Sequence, residues 1–299
     1  MNTIFIWLLL CLIWGSTWIF IKVGLDDLPP ISFAGIRFVV AAALLLLVIF
    51  WQKIELPKSR RVWAIIVISG LFQFFFNYGL VFWGEQHISS GLAAVLQATI
   101  PAFGLILARV YVPEEKITLL KVASILLGIV GVAVIFKEQL QLGGMLSLLG
   151  SLAVVVGAFM AAYASVLVKA FGGGTHPASF VFGQMFVGLI PLCLVGFISE
   201  GNPVNFRWTT SAIVCVAYLA IVGSIIAFWL YYDLLGKIDV TKAMMIALVT
   251  PLIAVIIGAL YLGEKLEIQT LFGGLLVLGS VGLIVIKPLL NRRKIAAYE

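Results

Sequence analysis

The sequence is short of charge. Of 299 residues, 13 are Asp or Glu and 19 are Lys or Arg, 11% in all. A soluble chain carries about 25%, so water is not the solvent for most of this one. Histidine is scarcer still: His87 and His176 sit at loop edges without ligand-type companions, and no metal or cofactor is expected. Cys11, Cys193 and Cys215 fall inside apolar runs, as small hydrophobes rather than disulfide partners. No glycine run ends in Gly-Lys-Ser/Thr, which excludes a phosphate loop. Gly172-Gly173-Gly174 reads as a turn. The connections between apolar runs are too short to hold a soluble catalytic or ATP-hydrolysing domain. No His, Asp, Ser or Glu cluster recurs at one depth, as a membrane enzyme requires. An enzyme is therefore not expected.

What is present is hydrophobic: 63% of the chain, in runs of about 20 residues. The alternating ~10-residue segments of a membrane barrel are missing. The expected fold is all-α and integral to the membrane, with ten helices at about 3–24, 30–51, 62–83, 89–110, 118–136, 144–170, 177–198, 209–232, 240–262 and 268–287. The first run lacks a basic leader and a small-residue cleavage site, so it reads as a retained span.

The second half repeats the first. Lys22 and Pro30 correspond to Lys169 and Pro177, and Ser32-Phe33 to Ser179-Phe180, all at an offset of 147. Pro101 corresponds to Pro251, Glu115-Lys116 to Glu264-Lys265, and Gly128 and Gly131 to Gly279 and Gly282. The organisation is then residues 1–140 as one five-helix unit, 141–290 as a second, and 291–299 as a basic tail. Five spans is an odd number, so the second unit enters the membrane inverted. Inverted repeats around a central cavity are a transporter design. With the N-terminus in the cytoplasm, cytoplasmic segments carry 14 Lys and Arg and outer segments four. That asymmetry places both termini inside, and it accounts for the net charge of +6 without nucleic acid.

Trp14-Gly15-Ser16-Thr17-Trp18, Arg37-Phe38, and the Pro101 and Pro251 spans with their following Glu-Lys turns resemble the EamA domain of the drug/metabolite transporter superfamily, twice in tandem. The pattern is most similar to YddG-type exporters of amino acids, including aromatic ones. The second unit departs from it: Gln184 stands where the match to Arg37 would fall, and span 6 lacks the Trp-Gly pair. The resemblance implies a cavity lined by spans 1–4 and 6–9, with spans 5 and 10 outside, and export of metabolites by alternating access. Multidrug or cationic-amphiphile efflux is the alternative, then exchange of sugar phosphates or nucleotide sugars, which would need more cavity cations than Arg37.

Polar and aromatic residues at mid-span depth are the candidate substrate contacts. Gln73 and Asn77 lie four apart on one helix face, with Phe74 and Tyr78 beside them. Trp14 is too deep for the interfacial belt; Thr17 on the same span and Gln97, which precedes Pro101 in span 4, are further candidates. Tyr163, Trp229, Tyr232 and Met244 complete the expected lining. Pro101 and Pro251 are candidate hinges, since proline frees a carbonyl and bends a helix. Arg37 is the one deep charge, either structural or a contact for a substrate carboxylate. The Asp and Glu residues all fall at span ends or in loops, which argues against a carboxylate proton relay. Expected partners are a small-molecule substrate and the bilayer. Small residues on spans 5 and 10 (Ser124, Gly128, Gly279, Gly282) suit close packing within a monomer or across a homodimer.

Overall fold

The computed structural model describes residues 2–88, 90–137, 143–262 and 268–286. The unit boundary near 140, the Gly263-Glu264-Lys265 turn and the basic tail lie outside the described residues. Those described are helical or in short connections, with no strand among them. Eight helices are long and apolar enough to cross a bilayer: α1 Thr3–Gly24, α2 Pro30–Trp51, α3 Arg60–Glu85, α4 Leu92–Tyr111, α6 Met145–Phe171, α7 Pro177–Glu200, α8 Thr210–Leu235 and α9 Val240–Ile257. Two shorter apolar helices, α5 Leu119–Ile135 and α10 Ile268–Ile284, complete the ten. At about 1.5 Å per residue, the 17 residues of α5 span only about 26 Å, a little under the hydrocarbon thickness.

The starts and stops follow local chemistry. Pro30 and Pro177 open α2 and α7 at a first-turn position, where a missing N–H costs nothing. Thr118 and Thr209 cap α5 and α8 by accepting from Lys121 N and Ala212 N. Lys169 reaches from α6 to the end of α8, donating to the carbonyls of Leu235 (2.6 Å) and Ile238 (2.9 Å).

The repeat is visible in the packing. α2 packs on α7 and α5 on α10; α1 packs on α9 and α8, and α6 on α4 and α3. Exchanging the two halves helix for helix leaves this list unchanged. Each half also contains a π-helical turn at the same place: Leu71–Asn77 in α3 and Ile221–Ile226 in α8. A π turn widens the helix by one residue and releases carbonyls from the ladder. One released group is used across the repeat, since Trp14 Nε1 donates to the carbonyl of Gly223 at 3.3 Å.

In lipid, helices associate by close packing and hydrogen bonds rather than by hydrophobic burial. The α5–α10 contact shows this. A Cβ on Gly131 would stand 2.8 Å from the carbonyl oxygen of Gly273, and one on Gly273 would stand 2.5 Å from that of Gly131. The two backbones touch, and only glycine permits it. The stripe expected on α10 is placed differently from the sequence reading: Gly279 and Gly282 meet nothing within 4 Å, and Gly273 makes the contact.

Candidate functional site

A central cavity of about 210 Å³ runs between α1, α2, α3, α4, α6, α8 and α9. It reaches Glu85 and Ile21, near the C-terminal ends of α3 and α1. At the opposite face the bundle is tied shut. Glu115 accepts from Val240 N and the Thr241 hydroxyl. Lys121 bridges to Asp239 at 3.2 Å, and Trp7 Nε1 donates to Lys242 O at 3.0 Å.

The wall is mainly apolar and aromatic. Trp14, Thr17, Trp18 and Ile21 come from α1; Gln73, Asn77, Tyr78, Val81, Phe82 and Glu85 from α3; Ala94, Gln97 and Ile100 from α4; Met244, Thr250 and Pro251 from α9. Arg37 comes from α2, and Ser165, Phe228 and Tyr231 from α6 and α8. The expectation that α7 also lines the cavity is corrected: its inward polar group, Gln184, is fully buried and bonded to Ser69 and Tyr232.

Arg37 is the distinctive group. It is 3% exposed. Its guanidinium lies 4.5 Å from the Phe38 ring centroid and 4.7 Å from that of Tyr78. Its Nε has no hydrogen-bond partner, and among the described residues no carboxylate pairs with it. A charge at membrane depth costs about 2.5–3.5 kcal/mol on insertion scales. Ring contacts of this kind return about 0.5–2 kcal/mol. The remaining cost falls on a buried cation that faces an open cavity. Asn77, on the same cavity wall, also has a side-chain oxygen without a partner among the described residues.

Of the sequence candidates, Trp14, Thr17, Gln73, Asn77, Tyr78, Gln97, Met244, Pro251 and Arg37 share this cavity. Four others lie off its wall. Phe74 is fully buried behind it, packed on Phe38 and Phe228. Tyr163 turns to the α4 side, where its hydroxyl meets that of Tyr111 at 2.6 Å. Trp229 packs on His176 at 5.5 Å. Tyr232 points into the α7–α8 interface and donates to Gln184. Successive residues on a helix diverge by about 100°, so Tyr231 lines the cavity where Tyr232 was expected.

The proline positions also need correcting. Pro101 sits in the first turn of a new helical segment, after a break at Ala98-Thr99. In α9 the break falls at Met245, and Pro251 lies inside the continuous helix Ile246–Leu262. There the Ala247 carbonyl, which loses its donor to the proline, takes the Thr250 hydroxyl at 3.5 Å. Discontinuities therefore occur in both spans, but only the first is at a proline.

Ile21 and Val81 were missed, and Trp18 and Glu85 were not among the expected contacts, although helical spacing points to all four. Trp18 follows Trp14 by four, and Val81 and Glu85 continue the Gln73, Asn77 series. Glu85 reaches the cavity from a span end, so end position alone did not keep the carboxylates out of it.

Comparison with known proteins agrees with this architecture. The model of the EamA-like transporter family matches residues 1–137 and 148–286. The chain is 31% identical over 294 residues to the uncharacterized inner membrane transporter YedA of Escherichia coli K12, covering 96% of this chain and 92% of that one. It is 28% identical over 284 residues to the uncharacterized transporter YoaV of Bacillus subtilis, covering 95% and 96%. It is also 28% identical over 281 residues to a probable amino-acid metabolite efflux pump of E. coli K12, covering 91% and 90%. A solved crystal structure of a protein 17% identical superposes with a TM-score of 0.79 over 94% of this chain and 97% of its own, a likeness of fold. The chain is a multi-pass membrane protein and belongs to the EamA-like transporter family.

Proposed function

We propose that this protein exports small metabolites, amino acids with an aromatic or other apolar side chain among them, by alternating access of its two repeats. The carrying observation is Arg37, a buried guanidinium with no carboxylate partner among the described residues, held against the Phe38 and Tyr78 rings at the wall of the cavity. A substrate carboxylate would complete it with a charge-assisted, bidentate contact. Asn77 and Gln73 supply amide groups beside it, and Trp14, Tyr78 and Phe228 supply apolar surface. The charge asymmetry of the loops supports termini in the cytoplasm of a cell with this protein in its inner membrane. In that orientation the cavity faces outward, and the Glu115 and Lys121 contacts close the cytoplasmic side.

The test is flux into and out of proteoliposomes containing this protein alone. Labelled phenylalanine is expected to exchange with saturation and to show counterflow. Absence of flux for every amino acid and lipophilic amine tried removes the proposal; linear, non-saturating flux makes the protein a channel. Efflux of cationic amphiphiles is the second reading, because Glu85 opens onto the same aromatic cavity. Preference for amines lacking a carboxylate would favour it.

A further inference from the structure

Glu85 is the second acidic or basic side chain on the cavity wall, and no cation among the described residues pairs with it. It is half-buried, it lines the cavity, and among the described residues it forms no ion pair or hydrogen bond. Arg37 stands in the same space with the opposite sign and the same lack of a partner. The two do not bridge to each other.

Their separation can be read from the helix that carries one and touches the other. Tyr78, whose ring lies 4.7 Å from the Arg37 guanidinium, begins the regular α-helical segment Tyr78–Glu85. Seven residues at 1.5 Å each make a rise of roughly 10 Å. Arg37 lies at the same depth counted from the other helix, since the seven residues from Pro30 also make roughly 10 Å. Glu85 leans back along its helix toward Tyr78, as helical side chains do, so the gap between the charged heads is somewhat smaller. The amine nitrogen and carboxyl carbon of an α-amino acid are only about 2.5 Å apart, from bond lengths near 1.5 Å. Such a solute satisfies one site at a time.

We infer that Glu85 is a cation subsite, and that with Arg37 it selects solutes whose amine and carboxylate are well separated: ω-amino acids, diamino acids or short peptides. This rests on the reading of Arg37 as the carboxylate contact. A dipeptide extends about 7 Å at 3.3–3.6 Å per residue. A six-carbon ω-amino acid reaches a similar length at about 2.5 Å per pair of bonds. Either can place its carboxylate on the Arg37 fork and its ammonium at Glu85. The intervening chain then lies along Asn77, Tyr78, Val81 and Phe82. The amine end points to the cavity mouth.

The experiment compares 6-aminohexanoate, hexanoate, hexylamine and glycine as ligands of the purified full chain. Binding is read from competition and from the rise in melting temperature, which a ligand of the native state produces. Wild type is expected to bind 6-aminohexanoate at least about tenfold more tightly than hexanoate, hexylamine or glycine, a factor worth about 1.4 kcal/mol. Glu85→Gln should erase that preference while leaving hexanoate binding intact, and Glu85→Asp should keep part of it. Arg37→Gln should lose hexanoate. If Glu85→Gln binds 6-aminohexanoate as wild type does, the subsite is wrong and the Arg37 reading stands. If no carboxylate binds wild type, both are wrong. Hexanoate binding also shows that the Glu85 variant is folded.

Discussion

The carboxylate of Glu115 accepts a hydrogen bond from the Thr241 hydroxyl at 3.2 Å, across 126 residues of chain. It also takes the Val240 N–H, so a residue from the turn after α4 caps the start of α9. Lys121 holds the same carboxylate at 3.8 Å and Asp239 at 3.2 Å. The first half of the chain thereby clasps the second at the face where α1 and α9 begin. The cavity opens at the other face.

Glu115→Gln keeps the shape and removes the charge. Breaking one partner of a buried charged network costs roughly 3 kcal/mol, and the loss should appear as a lower melting temperature in detergent. It should also loosen the closed face. A cysteine placed at Met244, on the cavity wall, is expected to react faster with a membrane-impermeant thiol reagent applied from the side of the Glu115 contacts. Unchanged reactivity would mean the clasp does not hold the conformation.

Arg37→Gln should lower flux at least tenfold and leave the melting temperature equal or higher. The reason is that no carboxylate among the described residues pairs with the guanidinium, and removing a buried charge relieves its desolvation. Arg37→Lys should not restore flux, because an ammonium lacks the planar fork and stacks poorly on Tyr78. A fall in melting temperature with flux retained would identify Arg37 as a structural residue.

Gly131→Val should separate α5 from α10. The new side chain must start 2.8 Å from the Gly273 carbonyl oxygen, and overpacking of this kind costs typically 1–3 kcal/mol. The same change at Gly279, where nothing lies within 4 Å, is expected to be nearly neutral. Comparing the thermal unfolding of the two variants checks the pairing directly.

Asp239 gives a pH dependence. Burial alone would raise its carboxyl, but Lys242 and Lys121 outweigh that and hold it below the ordinary range. A carboxyl depressed in the folded state stabilises above its unfolded value, about 3.9, and loses that contribution as pH falls through the folded value. The melting temperature of wild type should therefore drop more steeply below about pH 4 than that of Asp239→Asn. Parallel curves for the two proteins would show that the lysines do not act on it.

The family, the ten spans and the two-fold internal repeat were legible in the sequence. Each is a property of long stretches: apolar length, breaker positions, and residues recurring at a fixed offset. Nine expected site residues were found on the cavity wall because deep polar and aromatic residues have few other reasons to be there. Tyr232 and Trp229 were misplaced because the face a residue presents depends on helix rotation. The π turn Ile221–Ile226 in α8 changes that rotation by a residue, and no periodicity announces it.

Sequence alone determined the solvent of this protein, its helical class and its duplication, since hydrophobicity and repetition are local or additive. Only the tertiary structure decided which charges are left without partners. Lys121 is spent on Glu115 and Asp239 and Lys169 on carbonyls, whereas Arg37 and Glu85 face one cavity with no ion pair among the described residues. Pairing depends on distances between residues far apart in the chain, and those distances exist only once the helices have packed.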